Sequence, residues 1–174
     1  MQNILIVFEK GEMMETTFNM FIETEVPEDE LIVSRTDFTG KITYVNETFA
    51  EISGYRPEEL IGKHHNVIRH PDMPKSAFKD LWETLQRGEI WEGYVKNLRK
   101  DGGYYWVFAH ISTVIKEGKA VEYKSVREPV SREKKIEMQR VYDKLRAQEE
   151  GQTRVVLYID NDKLDAAAAL ESKD

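Results

Sequence analysis

The chain has 174 residues, 40% of them hydrophobic, which suits one sizeable core and one domain with terminal extensions. With 25 basic against 32 acidic residues the net charge is −7, which argues against nucleic acid or an anionic membrane as the main partner, because phosphate binding rests on basic surface. The absence of cysteine excludes disulfides, thiolate metal sites and a cysteine nucleophile.

Residues 1 to about 28 are acidic and Met-rich with a weak helical rhythm, and residues 1–30 are expected to form an N-terminal cap or arm. The apolar run Ile4 to Phe8 is far too short to span a bilayer, and no stretch reads as a signal peptide or transmembrane helix, so a soluble, cytoplasmic protein is expected. From Leu31 the pattern changes. LIVSRTD and KITYV read as two strands of a hairpin around Phe38-Thr39-Gly40. Asn46 is placed to cap a helix over ETFAEIS that Gly54 stops, and Pro57 opens a short helical turn.

The segment His64 to Pro74, HHNVIRHPDMP, holds three of the four histidines, with Arg69, Asp72 and two prolines, in what punctuation marks as a loop. Pro74 then opens a helix whose apolar positions Phe78, Leu81, Trp82 and Leu85 fall at i, i+3, i+4 and i+7, and Gly88 ends it. Three strands are expected next, in WEGYVKNLR, YYWVFAHISTVI and AVEYKSVRE, joined by turns at Lys100–Gly103 and Glu117–Lys119. The sum is an α+β domain over residues 31–130, an antiparallel sheet with its helices on one face.

Ser131 is placed to cap a charged helix over residues 131–150, in which Met138, Val141, Tyr142 and Leu145 form a narrow apolar stripe. Two readings of that stripe stay open, packing on its own domain and a seam for a partner helix. VVLYI, within Gln152 to Asp160, is strand-like, and Lys163 to Asp174, with four consecutive alanines, has the look of a cloning remnant in a tail over 151–174.

The order of elements together with NETFAEISGYRPEELIGK, HHNVIRHPDMP, WEGYVKNLRKDGGYYWV and YKSVRE resembles a PAS domain, and more closely the PAS domain of bacterial aerotaxis and energy-taxis receptors. Asn-x-x-Phe…Ser-Gly-Tyr marks PAS domains in general; HN-x-x-RHPDMP followed by W-x-G-x-x-KN is far more specific. The resemblance covers roughly residues 31–128 and implies a five-stranded antiparallel PAS fold that binds FAD non-covalently and reports its redox state. It implies cofactor contacts from Asn46, Arg69, His70, Asp72, Phe78, Trp91 and Asn97, with His65 as an addition. Receptors of this type continue into a membrane anchor and signalling domain, whereas this sequence ends at Asp174. The resemblance therefore points to a soluble sensor that signals to a membrane-bound chemotaxis transducer or another signalling protein, with a homodimer as a further assembly.

The residue types suit such a ligand. The isoalloxazine ring asks for apolar walls and for an amide that donates and accepts, which Phe78, Trp91 and Asn97 could supply. The pyrophosphate asks for donors, which Arg69 and His70 offer, and Asp72 could orient them or accept from a hydroxyl. A local network among Arg69, His70 and Asp72 that stabilises the loop explains the same residues, and a strand-end role explains Asn97. The lack of cysteine excludes a flavin-cysteinyl photoadduct. A metal at His64, His65, His70 and Asp72 fits no ligand spacing, and Arg69 would repel it. Haem would need an axial histidine such as His110, which reads better as an ordinary sheet residue, and Trp82, Trp106, Tyr104 and Tyr105 read as core. Alternatives to the FAD sensor are a PAS interaction module without cofactor and a PAS domain with haem or another small ligand. An enzyme is disfavoured, because no nucleophile motif and no Gly-x-Gly-x-x-Gly is present.

Overall fold

The computed structural model describes residues 20–149, and the expected VVLYI strand and the helical rhythm before Met20 lie outside that range. Strands β1 (Ile32–Thr36) and β2 (Ile42–Val45) form the expected hairpin. Its turn is closed by the Asp37 carboxylate, which accepts from Thr39 N at 2.8 Å and Lys41 N at 3.0 Å, and by Gly40 at φ +85°. Helix α1 (Glu47–Ser53) is capped by Asn46 and ended by Gly54, and α2 (Pro57–Leu60) is a single turn begun by its proline. After a 3₁₀ turn over His65–Ile68 come α3 (Lys75–Gln86), β3 (Trp91–Leu98), β4 (Tyr104–Lys116), β5 (Lys119–Glu128) and α4 (Arg132–Gln148).

The five strands form one antiparallel sheet in the order β2-β1-β5-β4-β3. Strand alternation sends Ile32, Val107 and Tyr105 to the inner face, where with Phe49 of α1 and Leu60 of α2 they are fully buried. Each such aliphatic or Phe side chain contributes about 1.5–3 kcal/mol by leaving water, so this cluster anchors the short helices to the sheet.

Helix α4 lies on the opposite, outer face. Tyr142 stacks on Trp106 with centroids 6.2 Å apart and donates to Tyr94 O, while Met138 and Leu145 pack beside it. The apolar stripe is therefore packed on its own domain, with Val141 and the adjacent Ile136 left exposed. Residues 22–24 extend the outer assembly: Thr24 N donates to Tyr104 O at 2.8 Å, and Lys135 of α4 pairs with Glu25 at 2.6 Å. No helix among the described residues is long and apolar enough to cross a membrane.

Candidate functional site

The His-rich segment spans the sheet from one edge to the other. It begins against the β1–β2 hairpin, where His65 N donates to Gly40 O at 2.8 Å and Lys41 bridges His64. Glycine suits position 40 because its φ is +85°, and a Cβ there would also stand 2.6 Å from His64 Nε2 unless that exposed ring moved. The segment reaches the far edge at Arg69, which bridges Asn97 of β3, and then turns around that edge so that Asp72 arrives on the outer face. Sheet, segment and α3 thus enclose a cleft on the inner face holding about 720 Å³ of empty space, part of it open to solvent.

The cleft is walled by Phe78, Leu81, Trp82 and Leu85 of α3 and by Val95, Ala109 and Ile111 of the sheet. Between these apolar walls stand polar groups with nothing to bond. Asn97 Nδ2, Ser125 Oγ and one Arg127 nitrogen, Nη1, are buried without a hydrogen bond of good geometry among the described residues, with the buried Tyr105 hydroxyl in weak contact with Asn97. A buried polar atom left unmatched costs about 1–3 kcal/mol, a cost that a ligand with matching donors and acceptors in this one cleft would remove.

Arg127 is only 4% exposed. Its Nη2 donates to Ser34 Oγ at 3.1 Å and to His65 Nε2 at 2.8 Å, which makes His65 an acceptor on that nitrogen. Burial, and then the Arg127 charge, hold the His65 imidazole well below its ordinary range, so it is neutral at physiological pH. Arg69 is exposed at the rim, with its guanidinium 3.6 Å from the centroid of the Phe78 ring.

Of the eight residues expected at the site, His65, Arg69, Phe78 and Asn97 line this cleft, and four do not. The Asn46 carboxamide is fully engaged in joining α1 to β1: its Oδ1 accepts from Phe49 N and Val33 N, and its Nδ2 donates to Leu31 O. Trp91 shares the inner face with Asn97 but lies six residues away, about 20 Å along the strand. Its indole lies over Gly93, where a Cβ would approach to 2.4 Å, and its N–H donates to Asp80 of α3 at 2.8 Å. His70 accepts from Asp72 N at 2.9 Å and packs on Tyr104. Burial, and then the Lys96 charge, push it down to about 4.

Asp72 binds Lys96 Nζ at 2.8 Å and Arg146 at 3.4 Å, and Gln139 donates to it at 3.3 Å, so it serves α4 rather than the cleft. The expected loop network is thus real, and it extends to the outer helix. His110, the candidate axial ligand, faces outward between Glu92 and Glu128. Among the described residues no group of three or more metal-ligating side chains is assembled.

Arg127, Ser34 and Ser125 were not anticipated from sequence. The legible sign was the alternation in AVEYKSVRE, which puts Tyr123, Ser125 and Arg127 on one face and so aims an arginine at the core.

A five-stranded antiparallel sheet carrying short helices over an inner cleft with apolar walls and a few buried polar groups defines a small α+β domain. Residues 42–127 match the family described as the PAS fold, and the chain belongs to that family. It is 44% identical over 124 residues to the aerotaxis receptor of Escherichia coli strain K12, a match covering 71% of this chain and 24% of the receptor. It is 28% identical over 109 residues to a nitrogen fixation regulatory protein of Klebsiella pneumoniae, covering 62% of this chain and 22% of that protein. The chain therefore spans about a quarter of the length of these relatives. A light-oxygen-voltage domain studied with a flavin analogue superimposes with a TM-score of 0.55 at 24% identity, covering 66% of this chain and 86% of that one. The same domain of the blue-light photoreceptor aureochrome1 gives 0.55 at 19% identity, covering 65% and 88%. These two structures share the fold.

Proposed function

We propose that this protein is a cytoplasmic redox sensor that holds FAD non-covalently in the inner cleft and signals to a partner transducer, without turnover of its own. The reading rests on the three unmatched buried polar atoms, Asn97 Nδ2, Ser125 Oγ and Arg127 Nη1, facing a cleft with an aromatic and aliphatic wall. That set suits the uracil-like edge and apolar plate of a flavin ring. The extent of identity to an aerotaxis receptor supports the same class of function. Phe78, Trp82 and Leu85 would enclose the ring, Asn97 and Ser125 would bond its polar edge, and Arg69 at the rim would meet the pyrophosphate outside. FAD would supply reversible electron uptake; the protein holds it, excludes water and senses its charge.

The output route follows from β3. Asn97 faces the cleft and its neighbour Lys96 faces outward, where it binds Asp72 at 2.8 Å and Gln139 of α4 at 3.1 Å. A rearrangement of hydrogen bonds at Asn97 is thus one residue from the ion cluster that holds α4. Exposed Ile136 and Val141 on α4 give a transducer, or a second copy of this chain, an apolar place to dock.

Absorption of the purified protein tests the binding step. Flavin bands at about 370 and about 450 nm are expected, and Asn97→Ala should lower their intensity per protein while Tyr104→Ala, on the outer face, leaves it unchanged. Protein that stays colourless after incubation with FAD would refute the reading.

A further inference from the structure

The lining of the cleft contains two guanidiniums, Arg69 and Arg127, and no Asp or Glu, in a chain where acidic residues outnumber basic ones by 32 to 25. Arg69 stands at the exposed rim, where water screens it. Arg127 is 4% exposed, pairs with no carboxylate among the described residues, and donates hydrogen bonds to two uncharged partners, Ser34 and His65, with the Phe49 ring 5.3 Å from its guanidinium carbon. Its Nη1 is left without a partner. An isolated buried charge is expensive, and buried charges are ordinarily paired. Burial lowers the Arg127 guanidinium to about 10, which still leaves it charged at neutral pH. The neutral His65 and the Ser34 hydroxyl hold it in place without neutralising it, so the cleft presents a fixed positive charge to whatever it encloses.

Resting on the flavin reading above, we propose that Arg127 is the counter-cation for the negative charge that the bound ring gains on reduction. The oxidised ring is neutral, and the ion pair is incomplete until electrons arrive. A hydride from a reduced carrier of the nicotinamide class, two electrons and one proton together, would give the bound ring one negative charge and leave the carrier oxidised. The Arg127 guanidinium in the same cleft would disfavour uptake of the second proton that reduced flavin otherwise takes, because a nearby positive charge favours the anionic form. Charge therefore appears in the cleft when the sensor is reduced and vanishes when it is oxidised, which is the difference a conformational readout needs.

The test is redox titration of the flavin-loaded full-length protein against reference dyes across the neutral pH range, for wild type, Arg127→Lys and Arg127→Gln. One proton per two electrons makes the midpoint fall by about 30 mV per pH unit, and two protons by about 59 mV. The wild type is expected at the lower slope, and Arg127→Lys should keep it. Arg127→Gln is expected to move toward the higher slope and to lower the midpoint by at least about 30 mV, a tenfold loss of preference for the reduced form. A two-proton slope in the wild type overturns the proposal whether or not the variants fold. An Arg127→Gln protein with unchanged slope and midpoint overturns it equally. Protein that takes up no flavin fails at the earlier reading, a different result from flavin bound with the wrong slope.

Discussion

At the scale of residues, this PAS domain separates two roles that its sequence runs together. Asn97 and Arg127 face the inner cleft, whereas Trp91, with the same inward register, ties β3 to α3 through Asp80. Trp91→Ala should cost about 3–5 kcal/mol of stability, read as a lower urea midpoint, while the folded fraction keeps its flavin occupancy. Loss of flavin without loss of stability would return Trp91 to the cofactor wall.

The histidines predict a pH dependence. His65 and His70 stay neutral in the fold, whereas an unfolded chain protonates both below about pH 6.5. The unfolded state then binds more protons, so stability is unaffected above about pH 6.5 and falls as the pH drops toward about 4, where folded His70 also protonates. Each histidine contributes a slope of up to about 1.4 kcal/mol per pH unit. Urea unfolding across that range should show it, and His70→Asn should remove the share of one proton; a flat profile would contradict the assignment.

At the scale of elements, an ion cluster at Asp72 and a cap on α3 add to the Tyr142 packing that holds α4. Asp72 gathers Lys96 and Arg146, and the Arg146 guanidinium also donates to Asp72 O. At the end of α4 the Glu149 carboxylate accepts from Lys75 N and Ser76 N, both at 2.9 Å, capping α3 where Pro74 has no side chain to do so. Asp72→Ala leaves the largely buried Lys96 without a carboxylate and Arg146 with Asp143 as its remaining one, and should cost about 3–5 kcal/mol, with faster amide exchange in α4 than in the sheet. Glu149→Ala should cost about 0.5–2 kcal/mol, read from thermal melting, by removing the cap. Uniform exchange across the domain in Asp72→Ala would show that α4 and the sheet open together.

At the scale of the whole molecule, what was legible depended on distance along the chain. The hairpins, the Asn46 and Ser131 caps and the amphipathic α3 could be read from the sequence because each is set by residues within about four positions of one another. The cleft was half legible. The His-rich segment and Asn97 were found, but the roles of His70 and Asp72 depend on Lys96 and Arg146, which are 24 and 74 positions from Asp72. Spacing carries no trace of such contacts. Arg127 escaped because a strand-end arginine is usually solvated, and only pairing with β1 and β4 shows it to be enclosed.

In the proposed sensor, a charge change in the inner cleft is transmitted through β3 to α4. Hydrogen exchange of the FAD-loaded protein, compared between the air-oxidised and the dithionite-reduced forms, tests it most directly. Exchange is expected to change in residues 69–73, in β3 around Lys96 and Asn97, and along α4, while β1 and β2 stay constant. Identical exchange in α4 in the two redox states would contradict it.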